Sequence, residues 1–348
     1  MRQETSRGLT RRSAAGDIVW QSRIIGTGSY LPARAVANGD LSSWLRLDSD
    51  AIYRRTGIRF RHWVTDEQTN SDLAEQAARR ACAAGGLAPS SVDAILVSTT
   101  SPDMTFPSTA CLLQRSLGVR GSAAFDLAAS CSGFLYGLSM ADRLIRTGQF
   151  RHCLVVATEV KSRFLDLQDE ATAILFGDGA GAALLVGEQV GVQERRGIMG
   201  VRLYADGARH RLIEMPAGGS RRPASLQTVR DRSHTIRIQG GPLFRVAVKR
   251  LAEAVTETLK EFGVGIHDLG QAIFHQANGR LLTAVGKRLG LPPEKIYSVI
   301  ERLGNTSSAS LPIALDQAVR TGRVSPGDLV LLGTFGGGLT WATALLRW

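Results

Sequence analysis

Cysteine is scarce in this chain of 348 residues: Cys82, Cys111, Cys131 and Cys153 make up the whole complement. None is spaced as Cys-x-x-Cys or as a metal-ligand pair, which leaves no basis for a disulfide framework or a zinc site and points to free thiols in a reducing compartment. No stretch approaches the roughly 20 apolar residues of a membrane span. Met1 to Trp20 is polar and Arg-rich, without the apolar core of a secretory signal, and Glu4 and Asp17 speak against a mitochondrial transit peptide. Residues 1–22 therefore read as a mobile arm on a cytoplasmic protein. Lysine is also rare. Only Lys161, Lys249, Lys260, Lys287 and Lys295 occur among 42 basic residues, and the arginines that supply the rest of the +11 charge are scattered. Without a basic cluster, a zinc pattern or an aromatic-rich RNA signature, the charge does not indicate a nucleic-acid binder. It suits an acidic protein partner or a phosphate-bearing substrate better.

Two glycine-rich stretches also fall short of known phosphate cradles. Gly26-Thr27-Gly28 lacks the third glycine of a dinucleotide fingerprint and reads as a strand and turn. Phe176-Gly177-Asp178-Gly179-Ala180-Gly181 lacks the Lys-Ser/Thr of a phosphate loop, so close backbone packing is its expected purpose. What the chain does have is a junction. Ala123 to Ala129 is an apolar run of strand length, and after Ser130-Cys131-Ser132-Gly133 the apolar residues Phe134, Leu138, Ala141 and Ile145 recur on one helix face up to Thr147-Gly148. Cys131 thus sits at a helix start, where unpaired N–H groups and the macrodipole favour a thiolate, with Gly133 leaving room for an approaching substrate. A simply buried thiol is the other reading.

The second half echoes the first. Ala94-Ile95-Leu96-Val97, before a helix ending Leu117-Gly118, is matched by Ala272-Ile273-Phe274-His275, before a helix ending Leu289-Gly290. Asp142 to Gly148 is matched by Asp316 to Gly322. Counting 15 residues back from Arg146 reaches Cys131, and the same count from Arg320 reaches Asn305. Two equivalent helix starts would then carry Cys and Asn, and packing the two halves face to face would bring them together. Pro312 requires the second helix to begin late or to kink. His275 ends a strand, and Phe335-Gly336-Gly337-Gly338 ends another in a turn able to aim N–H groups into a cavity. Each feature has a plain structural reading: a satisfied buried His, a turn Asn and a tight loop. Cys, His and Asn in that order also fit a papain-like cysteine hydrolase. That family's Cys-Gly-Ser-Cys-Trp signature is absent, and a repeat has no place in its fold.

Taken together, Ala128-Ala129-Ser130-Cys131-Ser132-Gly133-Phe134, His275-Gln276-Ala277-Asn278, Gly304-Asn305-Thr306-Ser307 and Phe335-Gly336-Gly337-Gly338 closely resemble the motifs of β-ketoacyl-acyl-carrier-protein synthase III. The likeness runs from about Arg23 to Trp348. It implies an α/β, thiolase-like fold, with duplicated halves (23–190 and 191–348) forming a five-layer αβαβα sandwich. It also implies an acyltransferase of fatty-acid biosynthesis, in which Cys131 takes an acyl group from a primer thioester. Malonyl-acyl-carrier protein then loses CO₂ and condenses to a 3-oxoacyl product. His275 and Asn305 would donate hydrogen bonds at decarboxylation, while the Cys131 and Gly337 N–H groups would form the oxyanion hole. Phe106 and Phe335 would shape the substrate pocket. Arg245, Arg280, Lys287 and Arg288 would dock the acyl carrier protein. The resemblance implies a homodimer, with acyl-coenzyme A and malonyl-acyl-carrier protein as substrates and no metal or redox cofactor. One departure stands out. Members of the family clamp the adenine of coenzyme A between a Trp and an Arg, but here those segments read Asp50-Ala51-Ile52-Tyr53-Arg54-Arg55 and Glu170. That fits a specialised polyketide or signal-molecule enzyme with another primer donor as the second reading.

Overall fold

The structure, a computed structural model, describes residues 18–191 and 196–348. Its first sheet contains β1 (Ile18–Tyr30), β2 (Ala94–Ser98), β3 (Ala123–Leu127), β4 (His152–Glu159) and β5 (Gly179–Gly191), in the order β1-β5-β4-β2-β3. Its second contains β6 (Gly197–Ala205), β7 (Gln271–Phe274), β8 (Ile296–Tyr297), β9 (Leu329–Gly336) and β10 (Thr340–Arg347), in the order β6-β10-β9-β7-β8. Strand for strand the two orders coincide. So do the pairings, antiparallel at the first two junctions of each sheet and parallel at the last two.

The helices repeat too. In the first copy α1 (Asn70–Ala84), α2 (Thr109–Leu117) and α3 (Gly133–Arg146) fall between successive strands, as α4 (Gly240–Phe262), α5 (Gly279–Leu289) and α6 (Ser310–Arg320) do in the second. Apolar faces set the layering. The outer face of the first sheet packs on α1 and α2, through Leu73, Ala77, Leu113, Ile95 and Leu154. Helices α4 and α5 cover the second sheet through Leu251, Val255, Leu282, Ala272 and Leu331. Helices α3 and α6 lie between the sheets, where Phe134, Leu138, Leu311 and Ala314 join Leu96, Val155, Val330 and Leu332 in one core. This is the expected five-layer αβαβα sandwich. With helices on both sides, β2 is buried at every residue, which is why it reads as a continuous apolar run rather than an alternating one.

Several expectations need correcting. The arm read over 1–22 falls outside the described residues up to Asp17, but from Ile18 the chain is already strand, paired with β5 from Ile18 opposite Gly191. Gly26 and Gly28 do not form a turn; they lie inside β1. A Cβ on either would drive into the carbonyl oxygens of Ala81 and Ala77, so these glycines let α1 rest on the strand. The Arg-, Gly- and Ser-rich stretch from Glu188 to Gly240 reads from its sequence as a connecting segment with some strand, and the whole of β6 lies within it. Gly181 does serve close packing, its missing side chain leaving room for Pro312 and the Ile313 backbone. Pro312 falls in the first turn of α6, where its absent N–H costs no hydrogen bond.

Candidate active site

Strand β3 leads into a tight turn at Ser130–Ser132 before α3 begins. The second copy does the same at Ser307–Ala309 before α6. Ser130 (φ 47°) and Ser307 (φ 53°) both take left-handed backbone conformations, a strain typical of functional turns. By this match the counterpart of Cys131 is Ser308, not Asn305. The count from the helix ends overshoots because α6 has 11 residues and α3 has 14. Asn305 stands three residues earlier, on a segment tied to the first copy by the Asn305 N–H to Leu175 O (2.9 Å) and the Gly177 N–H to Asn305 O (3.0 Å). Gly133 does not face substrate either. A Cβ there would overlap Ser98 Oγ, so this glycine lets α3 settle on β2.

Cys131, His275 and Asn305 nevertheless line one cavity of about 140 Å³, together with Phe335 and Gly337. All three polar residues are buried. Strand β9 ends against the cysteine: a Cβ on Gly336 would lie 2.7 Å from Cys131 N. Among the described residues, neither the Cys131 N–H nor the Gly337 N–H meets a backbone acceptor. Cys131 Sγ lies 3.5 Å from Ser307 Oγ, whose hydroxyl donates to Glu159 Oε1 at 3.2 Å. Burial pushes the Cys131 thiol up, against the lowering contact with Ser307. Burial therefore works against the thiolate expected from the helix start and favours the neutral thiol.

The ring of His275 is held at Nδ1 by Ser310 Oγ, 2.5 Å away. That same oxygen accepts the Gln276 N–H at 3.1 Å. The arrangement satisfying every group has the Ser310 hydroxyl donating to Nδ1, which places the imidazole proton on Nε2. Burial lowers the His275 pKa to about 4, so the ring is neutral near pH 7 and offers Nε2–H as a donor. The Asn305 carboxamide is oriented just as firmly. Its Oδ1 accepts the Ser307 N–H at 2.8 Å, and one Nδ2 proton goes to Ala277 O at 3.3 Å, leaving the other for a ligand. Ser307 and Ser310 were not singled out from the sequence, although the serine run 307–310 beside Asn305 was the available signal.

From Cys131 the cavity leads to an outer cleft that shares Leu175, Ile238, Phe244 and Asn278 with it. Arg245 and Arg280 line that cleft, whereas Lys287 and Arg288 are exposed on α5 beyond it. Arg55 and Glu170 pair across the cleft at 3.1 Å. Arg59 covers the ring of Tyr53, 4.0 Å from its centroid, so that face is not free to stack on a base. Phe335 is buried on the cavity wall, while Phe106 is 82% exposed and lines neither cavity beside Cys131 in its own chain. Among the described residues no group of three His, Cys, Asp or Glu side chains could hold a metal ion, and no helix is long and apolar enough to cross a membrane.

Comparisons with known proteins agree with this architecture. Residues 125–207 match the family 3-oxoacyl-[acyl-carrier-protein] synthase III, and residues 259–348 match its C-terminal part. A β-ketoacyl-[acyl-carrier-protein] synthase III of Xanthomonas campestris is 47% identical over 327 residues, covering 94% of this chain and 98% of its own. The solved 3-oxoacyl-[acyl-carrier-protein] synthase III of Aquifex aeolicus superposes with a TM-score of 0.86 at 39% identity, over 94% of this chain and all of that one. The priming β-ketosynthase of the R1128 polyketide pathway gives the same TM-score at 36% identity, over 94% and 96% of the two chains. With the duplicated fold, a cysteine at a strained helix start and full-length likeness in agreement, the chain belongs to the β-ketoacyl-acyl-carrier-protein synthase III family.

Proposed function

We propose that this enzyme, a homodimer of the cytoplasm whose halves are residues 23–190 and 191–348, joins an acyl primer to malonyl-acyl-carrier protein, with Cys131, His275 and Asn305 as its reacting groups. The supporting observation is that these residues, drawn from two copies of one unit, line a single buried cavity. The Cys131 sulfur attacks the primer carbonyl, its S–H proton leaves with the departing thiol, and an acyl-enzyme results. Malonyl-acyl-carrier protein then enters, and its C–CO₂⁻ bond breaks. The electron pair moves onto the thioester oxygen, where the Asn305 Nδ2–H and His275 Nε2–H donate to the developing charge. A neutral imidazole that is already protonated on Nε2 suits this role and not that of a base. The enolate carbon attacks the acyl-Cys131 carbonyl, whose oxygen is held by the Cys131 and Gly337 N–H groups. Collapse releases the 3-oxoacyl product and the cysteine sulfur, which regains a proton from water. Arg245 and Arg280 at the cleft, with Lys287 and Arg288 beside it, suit an acidic carrier protein. The exposed Phe106 suits an interface with a second copy.

The ion pair between Arg55 and Glu170 favours a second reading, in which the primer comes from a donor other than coenzyme A. A carboxylate at the cleft repels a nucleotide's phosphates and occupies the arginine that would otherwise meet them. Intact-protein mass spectrometry after incubation with a series of acyl thioesters tests both. The expected result is a single acyl adduct that peptide mapping places on Cys131; a hydrolysed thioester with no adduct, or an adduct elsewhere, would overturn the mechanism.

A further inference from the structure

Cys131 has cavities on two sides, and they differ in kind. The passage toward the outer cleft contains His275 and Asn305. The other chamber, of about 170 Å³, contains neither; it is lined by Thr100, Lys161, Phe176, Glu214, Met215 and Ile236, among others, with Cys131 and Gly337 at the boundary. Both decarboxylation donors lie on the passage side, so the malonyl arm occupies the passage. The acyl chain carried on Cys131 must therefore extend into the chamber.

An ammonium group is an unusual wall for an acyl chain. Lys161 is 6% exposed, and its Nζ meets two acceptors among the described residues, Glu159 Oε2 at 2.9 Å and Thr100 Oγ1 at 2.5 Å. An ammonium has three N–H groups, so one remains to donate. Glu159 has no spare capacity for a ligand: it is fully buried and accepts from the hydroxyls of Ser101, Ser307 and Ser308. Thr100 is also engaged, accepting from Lys161 and lying 3.3 Å from Glu159 Oε1. Lys161 is thus the cationic donor on a wall that also carries the Ser130 hydroxyl and the Glu214 carboxyl, with Phe164, Phe176, Ile213, Met215 and Ile236 as its apolar surface. Because Glu159 balances the lysine and Glu214 adds a further acid, a carboxylate would meet net repulsion there, whereas a neutral oxygen would not.

We propose that the chamber beside Cys131 selects short acyl primers carrying a neutral hydroxyl or keto oxygen, which accepts a hydrogen bond from Lys161. The proposal rests on the acylation of Cys131 described above. A buried donor of this kind discriminates strongly against a chain that leaves it without a partner.

The test compares N-acetylcysteamine thioesters, which carry no nucleotide, by the rate of adduct formation on the intact protein. The expected order is 3-hydroxybutyryl ahead of butyryl by about fivefold or more, with the succinyl ester slowest. Lys161→Met should reverse the first ratio. Because that change strands the Glu159 carboxylate, Glu159→Gln combined with Lys161→Met serves as a second variant, and the wild-type order needs neither. A wild-type preference for butyryl, or a ratio that the variants leave unchanged, overturns the role given to Lys161 while leaving Cys131 as the nucleophile. Absence of any adduct with every thioester overturns the acylation reading itself.

Discussion

The two copies of the folding unit share a strand order, a helix order and a strained serine before the inner helix, yet they do different chemistry at that point. In the first copy the residue after the strained serine is Cys131, at the meeting of two cavities. In the second it is Ser308, whose hydroxyl is spent on Glu159 at 2.8 Å and lies 3.4 Å from Ser98 O. The scaffold at both starts is the same: a turn that frees N–H groups and an inner helix whose buried aspartate pairs with a more exposed arginine, Asp142 with Arg146 at 2.7 Å and Asp316 with Arg320 at 3.0 Å. Duplication therefore supplied the geometry twice and the nucleophile once. The second copy contributes its donors from neighbouring segments, His275 after β7 and Asn305 before the turn.

The sharpest way to break this asymmetry is to exchange the chemistry at the two starts. Cys131→Ser should cut acyl-enzyme formation by a factor on the order of 10³ or more, because a hydroxyl without a base is a poor nucleophile. Ser308→Ala should cost about 1–2 kcal/mol of stability through the lost hydrogen bond to a buried carboxylate, while acylation falls less than tenfold. Equal losses of acylation in the two variants would mean that the starts are not chemically distinct. Next in size are the donors. Asn305→Ala or His275→Ala should lower malonyl decarboxylation by about 10²-fold while sparing acylation, as measured by CO₂ release against adduct formation. The pH profile sharpens this. The folded-state pKa of His275, about 4, lies below its unfolded value, so the neutral ring persists as pH falls and the stability tied to it is lost only between the unfolded pKa and about 4. Decarboxylation should stay level from pH 8 to pH 5.5; a decline centred near 6.5 would show a solvated imidazole instead.

How much of this was legible follows the same division. The inner helix α3 and the junction at Cys131 were readable because apolar periodicity and a short buried strand are local signals. The repeat was readable because its Asp, Arg and Gly positions serve the same contacts twice. Strand β6 was expected only as some strand within a poorly periodic connecting stretch, because it is an edge strand whose burial grades from Gly197 and Ile198, both buried, to Arg202 and Leu203, both exposed, so no alternation survives. Glu159 and Lys161 left no trace, since charged side chains are ordinarily placed on the surface and only tertiary packing buries them as a pair. The pairing of Cys131 with Asn305 was off by one helical turn because a count along the chain cannot sense a shortened helix.

Smaller effects test whether the shared scaffold carries equal weight in both copies. Asp142 accepts from Ser22 Oγ as well as Arg146, and Asp316 from Thr27 and Ser29 as well as Arg320, so β1 is pinned to both inner helices. Asp142→Asn and Asp316→Asn should each cost about 1–3 kcal/mol in urea unfolding, since each weakens charge-assisted hydrogen bonds to a buried group. A loss confined to one copy would show that the other pair is ornamental.

The smallest expected effect concerns the outer ends of the equivalent helices α2 and α5. At the start of α2 the N–H groups of Thr109 and Ala110 are taken by Asp126, at 2.7 and 2.8 Å, and both residues are fully buried. That end is sealed by its own sheet. At the start of α5, Asn278 Oδ1 caps the Arg280 N–H at 2.8 Å, and the Arg280 side chain is exposed at the cleft. Of these two helix starts, only that of α5 thus presents a cation beside the entrance to Cys131. Exposed charges contribute little individually and act mainly on encounter, so Arg280→Glu should raise KM for malonyl-acyl-carrier protein about three- to tenfold. The gap between variant and wild type should narrow in about 0.5 M salt, where the screening length is only a few ångströms. Acylation by a small neutral thioester should not change, because nothing in that substrate reaches the arginine. If both substrates lose equally, Arg280 shapes the passage itself, and the open end of α5 is no more a docking surface than the sealed end of α2.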